Sequence, residues 1–300
     1  MHTAAVSARG IGGWGWAQLA TAAGIGVGLG MIALMPTWVG GDALAYYLAS
    51  PVPGYAGVSG NGLNFLYSPA ASQVIEPLRF LPREGFVFVV RLVGVLCLAF
   101  VAREFTLPIL LAIPVLVHNP VVMELWYGNI NLVLAAVAVA GLRYPALWSI
   151  DLLTKLTPGV GLVWFVMRRE WSKLAIALAT TAVITLVSFA LAPGAWFAWV
   201  GTLTSPEAAL PPGTYWVIAP LPVRLVVAAA LIGWGARTNH RWTVVLGTWL
   251  SIPVLWPQTL AVLTPLPLMA LRALATRQAG RARSADASAA DPADGTPQPA

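Results

Sequence analysis

Long apolar runs with almost no charge recur along this chain, and they constrain its fold more than any other feature. The first, Trp14 to Met35, contains no charged residue. Overall, 58% of the residues are hydrophobic and 9% are charged, whereas a soluble domain carries roughly 25% charged residues. A transmembrane helix needs about 20 mainly apolar residues. The sequence therefore predicts an all-α, polytopic bundle of eight to ten membrane segments with a large first external loop.

The arginines at the ends of the runs orient the bundle, because cytoplasmic loops are enriched in Lys and Arg. They place the amino terminus and residues 143–144 in the cytoplasm, and residues 37–85 outside. After the first run, spans are expected near 86–102, 106–118, 129–142, 173–192, 217–235, 242–256 and 258–275.

Three stretches depart from the simple span pattern. Residues 144–167 have arginines on both sides and are interpreted as a re-entrant hairpin turning near Thr157-Pro158-Gly159. Residues 68–82 are amphipathic and predict an interfacial helix. The Ala-, Asp- and Pro-rich residues 277–300 predict a disordered cytoplasmic tail after a membrane domain of residues 1–276.

Several function classes are excluded by composition and motifs. The net charge of +6 comes from basic residues scattered at span ends, so it does not indicate nucleic-acid binding. The single Cys97 cannot form a disulfide within the chain. No P-loop, zinc-protease, serine-hydrolase or paired acidic DxD motif occurs, so neither a metal nor a cofactor is predicted.

Asp42 is a lone carboxylate just beyond the first apolar run, within "GGDALAYY". One interpretation is a helix N-cap, a position that Asp favours. The other is a general base at the membrane surface that accepts the proton of an attacking hydroxyl. Tyr46 falls four residues later, on the same face of a helix, and is a candidate for substrate contact.

Lys155 is a second isolated charge, in "DLLTKLTPG". Asp151 lies four residues earlier, where a helical ion pair would let both side chains be buried. Alternatively, Lys155 meets the phosphate of a lipid substrate near the headgroup level. An ionisable residue at membrane depth is costly, by about 3 kcal/mol or more, and is a functional candidate by default.

Arg91 and Arg224 fall inside predicted spans near the outer leaflet. Each is interpreted either as snorkelling towards the headgroups or as a bidentate phosphate ligand.

A loop predicted at residues 119–128 brings further polar candidates to the outer face. His118 is a candidate acid, base or hydroxyl ligand. Glu124 either solvates the loop or contacts the acceptor. Asn129 and Asn131 either cap the following helix or bind sugar.

The order of these features resembles a known family. Asp42 after the first span is followed by "FLYSPAASQVIEPLRFLP", then by P-x-x-x-x-L-W-Y-G-N-I-N, and then by "KLTP" and "RREW". Together they resemble glycosyltransferase family 87, over residues 38–171 and more loosely beyond.

The resemblance implies a GT-C architecture in a bacterial plasma membrane and a polyprenyl-phosphate-mannose donor used on the outer side. It implies that Asp42 deprotonates the acceptor hydroxyl and that Lys155 lies near the donor phosphate. The family's Gly-Gln-x-Asn motif matches Gly128, Asn129 and Asn131, with Asn in place of Gln. A single base without an acid partner fits inverting, metal-independent transfer.

Other interpretations stay open. The chain is shorter than typical members and lacks an Asn-x-Ser element before Arg224. A transporter or flippase of lipid-linked substrates, or an inactive membrane subunit, has the same apolar composition. Neither the sugar nor the acceptor, a glycolipid or a glycan, is fixed by the sequence.

Overall fold

Helices make up the regular structure of this computed structural model, which describes residues 40–48, 65–105, 118–204 and 218–290, together with residues 26, 28, 30, 32 and 34–36. No β-strand occurs among them. The α-helices are α1 Gly41–Leu48, α2 Pro69–Ile75, α3 Arg83–Phe105, α4 Asn119–Tyr127, α5 Asn131–Ala140, α6 Trp148–Thr154, α7 Val163–Met167, α8 Trp171–Leu191, α9 Pro193–Thr204, α10 Leu221–Thr238, α11 Trp242–Leu250 and α12 Pro265–Ala290. Four 3-10 helices are Glu76–Phe80, Pro145–Leu147, Thr157–Leu162 and Pro257–Leu263.

Four helical segments in the described ranges are long and apolar enough to cross a membrane. Each has 18 to 22 residues, or about 27–33 Å of helix, which matches a hydrocarbon core of about 30 Å. The prediction of an all-α, polytopic membrane bundle is confirmed. The segments are Arg83–Ala102, Trp171–Leu191, Leu221–Thr238 and Pro257–Gln278.

The outward surface of helix α8 is apolar and is not suited to contact with water. Only 11% of its apolar window is buried inside the protein, and large apolar side chains such as Val183 and Leu186 face outward. An apolar face of this size is typical of contact with lipid.

The pair α4 and α5 is bent by 116° and is either a broken span, which would be the fifth in the described ranges, or a re-entrant loop. The bend occurs because Gly128 ends α4 with φ +67°, the left-handed conformation that favours glycine. A Cβ at Gly128 would lie 2.7 Å from the Cβ of Ala43. Glycine therefore also allows α1 to approach the bend closely.

A break between α6 and the 3-10 helix 157–162 interrupts the predicted hairpin. The backbone N–H of Thr157 donates to the carbonyl of Lys155 at 2.6 Å across Leu156, which has φ 55° and ψ −59°. This is a γ-turn of the rare positive-φ kind. The segment is therefore interrupted at residues 155–156, directly before the predicted turn.

Three hydrogen bonds place this break at one end of the bundle. The N–H and Oγ of Ser68 donate to the carbonyl of Leu153 at 3.2 and 2.5 Å. Nearby in the chain, Gln73 donates to the carbonyl of Ser188, close to the end of α8. The break therefore lies near the carboxyl end of α8.

Basic turns lie at the other end of α8. Arg168 and Lys173 flank its start and bind Glu170, and Arg168 Nη1 donates to the carbonyl of Ala236 at the end of α10. Residues 171 and 188 are separated by about 26 Å of helix. The basic turns and the break at Lys155 are therefore far apart along the bundle.

The structure corrects some sequence predictions, and others concern residues that it does not describe. Helix α12 runs to Ala290 and so extends into the stretch 277–300, since alanine and arginine are good helix formers. The disordered cytoplasmic tail stays a prediction. The predicted loop at 119–128 is mostly helix α4. The amphipathic stretch 68–82 is helical as expected. Most of the first apolar run, residues 106–117 and residues 291–300 lie outside the described residues, so the count of eight to ten segments stays a prediction.

Candidate active site

Asp42 meets Asn129 at the bend between α4 and α5. Asn129 Nδ2 donates to Asp42 Oδ2 at 2.8 Å, across 87 positions of sequence. Asp42 lies inside the first turn of α1 rather than before it, so the N-cap interpretation is wrong. Both side chains are half-buried. The carboxylate is thus held in a fixed place and remains partly accessible.

Lys155 reaches the same asparagine from the break after α6. Its Nζ donates to Asn131 Oδ1 at 2.9 Å and lies 3.4 Å from Asn129 Oδ1. Asn129 thereby joins the base candidate Asp42 to the ammonium of Lys155 through its two amide atoms. Among the described residues, Lys155 donates only to neutral amides and forms no direct ion pair, although the carboxylates of Asp42, Glu124 and Asp151 act on its charge from a greater distance.

Glu124 and Asn131 form a buried support below these groups. The Glu124 side chain is 1% exposed, and its carboxylate accepts from the Asn131 backbone N–H at 2.5 Å and from Asn131 Nδ2 at 2.8 Å. These two bonds orient the Asn131 amide so that its Oδ1 faces Lys155. The loop interpretation of Glu124 is wrong, because its side chain is inside the protein.

Two tyrosines complete the wall of the cluster. The hydroxyls of Tyr46 and Tyr67 are hydrogen bonded at 2.8 Å, and the Tyr67 hydroxyl donates to Asn129 Oδ1 at 3.4 Å. The rings pack with centroids 5.4 Å apart. Tyr46 is buried and is connected to Asn129 through the Tyr67 hydroxyl, and its predicted contact with substrate stays a prediction.

The surroundings of Asp42 change the pKa of its carboxyl group. Burial raises the pKa of Asp42 above its ordinary value, while the hydrogen bond from Asn129 and the charge of Lys155 act in the opposite direction. A carboxyl group with a raised pKa is a better proton acceptor when ionised. Among the described residues, no group of three or more His, Cys, Asp or Glu side chains is arranged to hold a metal ion.

The family model of glycosyltransferase family 87 matches residues 65–290, most of the chain. The chain belongs to glycosyltransferase family 87. No curated protein and no solved structure matches it. The protein is therefore a membrane glycosyltransferase, which uses a sugar donor and an acceptor. Asp42 precedes the matched region, so its place in the candidate site rests on its contact with Asn129.

The ion pair predicted between Asp151 and Lys155 is not formed. Lys155 follows the last residue of α6 and has φ −111°, so the helical i,i+4 geometry does not extend to it. Asp151 is buried, and neither carboxylate oxygen has a hydrogen-bond partner among the described residues.

Arg91 binds backbone carbonyls close to the candidate site, and its Nη2 lies 3.9 Å from the position that a Cβ would take at Gly40. Its side chain is 1% exposed, and Nη2 donates to the carbonyls of Pro36 and Trp126 at 3.2 and 3.0 Å. Snorkelling is therefore excluded, and the guanidinium joins the chain before α1 to the end of α4.

Arg224 is likewise engaged with the backbone. Its guanidinium donates to the carbonyls of Ala219, Leu250, Ile252 and Pro253 at 2.7–3.0 Å. It stabilises the carboxyl end of α11, where the carbonyls have no helical partner. Neither arginine is used as a phosphate ligand in the proposal below.

His118 stands at the N-cap of α4, and its carbonyl accepts from the N–H groups of Val121 and Val122. Nine residues of helix, about 14 Å, separate it from the bend. The structure thus brings Asp42, Asn129 and Lys155 together, with Glu124 and Tyr46 linked to them through Asn131 and Tyr67, and leaves His118 outside the cluster.

One member of the cluster, Tyr67, was given no role from the sequence, and another, Asn131, makes contacts that its sequence interpretations did not include. Asn131 was interpreted as a helix cap or sugar ligand, but α5 has no side-chain cap bond and the amide connects Glu124 to Lys155. For Tyr67, the only sequence signal of a role in the site was its place in the stretch "FLYSPAAS".

Proposed function

We propose that this family 87 glycosyltransferase transfers a sugar from a polyprenyl-phosphate donor to a hydroxyl of a glycolipid or glycan on the outer side of the bacterial plasma membrane. Mannose is the sugar that we propose. The observation that carries the proposal is the link Asp42–Asn129–Lys155, which sets a carboxylate and an ammonium on either side of one amide. Its outward location is supported by its distance from the basic turns at the start of α8.

Asp42 acts as the general base in this proposal. Its ionised carboxylate accepts the proton of the acceptor hydroxyl while the hydroxyl oxygen forms a bond to the anomeric carbon of the donor. The bond between that carbon and the phosphate oxygen breaks, and its electron pair leaves with polyprenyl phosphate. One displacement inverts the anomeric centre, and the transition state has oxocarbenium character.

Lys155 stabilises the leaving phosphate. Negative charge develops on the phosphate as the sugar departs, and a cation fixed nearby lowers the energy of that state. Neutral amide oxygens hold the Lys155 ammonium, so it stays available to an anion. Glu124 is already satisfied by two bonds from Asn131 and does not pair with Lys155 directly.

The test is Asp42→Asn in the purified full-length protein, with transfer measured from radiolabelled polyprenyl-phosphate mannose to a mannoside acceptor. General bases contribute about 100- to 10,000-fold to rate, so we expect transfer to fall by at least about 100-fold.

The matched control is Glu84→Gln, which removes an exposed carboxylate outside the cluster and should leave the rate unchanged. Normal transfer by Asp42→Asn would show that Asp42 is not the base. Movement of the lipid-linked sugar across vesicles without transfer would support a flippase instead.

A further inference from the structure

Apolar and basic residues follow one another along the outward face of α10. Val226, Val227 and Trp234 lie three, four and eleven residues after Val223, and all four side chains are exposed. This spacing places them on one face of a helix, here called the α10 stripe. Arg237, three residues beyond Trp234, continues that face in the last turn of α10. The outward face is therefore apolar along its length and cationic at its end.

The length of the α10 stripe matches one leaflet of a bilayer. Residues 223 and 234 are about 16 Å apart along the helix, and one leaflet supplies half of a hydrocarbon core of about 30 Å. The Trp234 ring at its end stacks on His240, with centroids 5.0 Å apart and 11° between the planes. Tryptophan is enriched at the level of the lipid headgroups. The stripe thus offers an apolar length for an acyl chain and an oriented indole where the headgroups begin.

Two arginines flank the turn that follows the stripe. Arg237 is in the last turn of α10, and Arg241 directly precedes α11. The turn between them is fixed, because Asn239 ends α10 with φ 60° and the N–H of His240 donates to the carbonyl of Gly235 at 2.8 Å. One short, fixed turn therefore carries both guanidinium groups.

A third arginine belongs to the same end of the bundle. Arg168 Nη1 donates to the carbonyl of Ala236 at 3.1 Å, which joins the end of α7 to the end of α10. A Cβ at Gly233 would lie 3.6 Å from Met167 Cγ, so the two helices are in contact here. Arg169, next to Arg168 in the chain, is exposed. Its charge adds to that of the turn between α10 and α11.

These arginines have no internal counter-ion. Among the described residues, the side chains of Arg169, Arg237 and Arg241 form no ion pair and no hydrogen bond. The neighbouring carboxylate, that of Glu170, already binds two other basic side chains at 2.7 and 2.8 Å. A zwitterionic lipid would bring its ammonium group next to this excess of positive charge. The turn therefore favours a lipid of net negative charge.

We propose that Arg237 and Arg241 bind the phosphate of an anionic phospholipid whose acyl chain lies along the α10 stripe. The planar guanidinium group donates two parallel hydrogen bonds to phosphate oxygens. Charge alone orients a span and does not require an arginine to follow an apolar stripe and a fixed indole. About 26 Å of α8 separates this end of the bundle from the break at Lys155. The bound lipid is therefore not the sugar donor, and its binding does not require the proposed transfer reaction.

The test is the thermal stabilisation of the purified full-length protein in dodecyl maltoside, titrated with dioleoyl phosphatidylglycerol. A ligand of the native state raises Tm by mass action, and the titration gives an apparent Kd. An arginine near an anionic headgroup contributes roughly fivefold in affinity. We therefore expect the apparent Kd to rise about 25-fold in the double variant Arg237→Gln/Arg241→Gln. An unchanged Kd in that variant would overturn the site.

Two other ligands test the chemistry of the lipid. We expect dioleoyl phosphatidylcholine to stabilise the wild type less than phosphatidylglycerol does, because it has no net charge. Soluble glycerol 3-phosphate, which has no acyl chain to cover the stripe, should also stabilise it less at the same concentration. Equal stabilisation by either compound would contradict an anionic phospholipid as the occupant.

The matched control is Arg277→Gln, which removes the same charge from an exposed position of α12. We expect its apparent Kd for phosphatidylglycerol to equal that of the wild type. If Arg277→Gln lost as much affinity as the double variant, the lipid would be responding to the overall charge of the protein, and the proposed site would be wrong.

Further variants separate the proposed occupant from others. We expect Asp42→Asn and Lys155→Gln to be stabilised by phosphatidylglycerol as the wild type is, so this proposal and the catalytic one can fail independently. Loss of binding in Lys155→Gln equal to that of the double variant would place the lipid in the candidate active site instead. Two chains per micelle in the wild type and one in Trp234→Ala, measured by light scattering, would assign the stripe to a second copy of this chain. Either result would overturn the proposal.

Discussion

Asn129 makes more of the contacts within the site than any other described side chain. Its Nδ2 donates to Asp42, and its Oδ1 accepts from the backbone N–H of Ile130 at 2.7 Å while lying 3.4 Å from both Lys155 Nζ and the Tyr67 hydroxyl. The amide orientation is therefore fixed by its neighbours. One neutral side chain sets the separation between the base and the cation.

The raised pKa of Asp42 predicts the pH dependence of transfer. The base must be ionised, so kcat/KM should fall as the pH decreases through the pKa of Asp42, above the ordinary value of about 3.9. Burial raises that pKa, and the Asn129 hydrogen bond lowers it. Asn129→Ala removes the bond, so the acidic limb of the profile should move to higher pH.

The measurement is kcat/KM for mannoside transfer as a function of pH in the wild type and in Asn129→Ala. An acidic limb that stays in place, or moves to lower pH, would contradict the role of Asn129. Gln278→Ala, at an exposed position of helix α12, provides the control for a general effect of losing an amide.

At the scale of elements, the close approach of α1 to the α4–α5 bend holds the site together. Gly128→Ala would require an unfavourable positive φ of 67° and would place a Cβ 2.7 Å from that of Ala43. Strain of this kind costs about 1–3 kcal/mol. We expect a lower Tm in detergent and slower transfer, because α1 carries Asp42 away from Asn129.

Gly201→Ala is the matched control, since its Cβ would meet no atom within 4 Å and alanine favours the helix. Its Tm should equal or exceed that of the wild type. A Gly128→Ala protein with wild-type Tm and rate would show that the bend tolerates a side chain.

The sequence predicts the elements better than it predicts which residues meet. Asp42 and Lys155 were identifiable because ionisable side chains are rare in so apolar a chain. The contact between Asp42 and Asn129 spans 87 positions and depends on the 116° bend, which no local pattern reveals. For Arg91 and Arg224 the sequence left snorkelling and phosphate binding open, because composition does not show that backbone carbonyls bind both guanidinium groups. Phosphate binding by these arginines stays a prediction.

At the scale of the whole molecule, the orientation of the bundle is the main expectation to test. Cys97 is the single cysteine and is replaced by serine, after which Glu84→Cys and Arg169→Cys are made separately. Both positions are exposed. With a membrane-impermeant maleimide we expect residue 84 to label in intact cells and residue 169 only after permeabilisation.

Labelling of residue 169 in intact cells, or of residue 84 only after permeabilisation, would place Asp42 on the cytoplasmic side. The lipid-linked donor would then have to be supplied from within the cell.

The outward apolar face of α8 has a consequence for how the fold is measured. Because only 11% of that window is covered by protein, acyl chains cover much of the remaining surface of this helix. These acyl chains bind the native state and therefore take part in the unfolding equilibrium. By mass action, changing the surrounding amphiphile changes that equilibrium. A free energy of unfolding for this enzyme is therefore defined only together with the lipid or detergent in which it is determined.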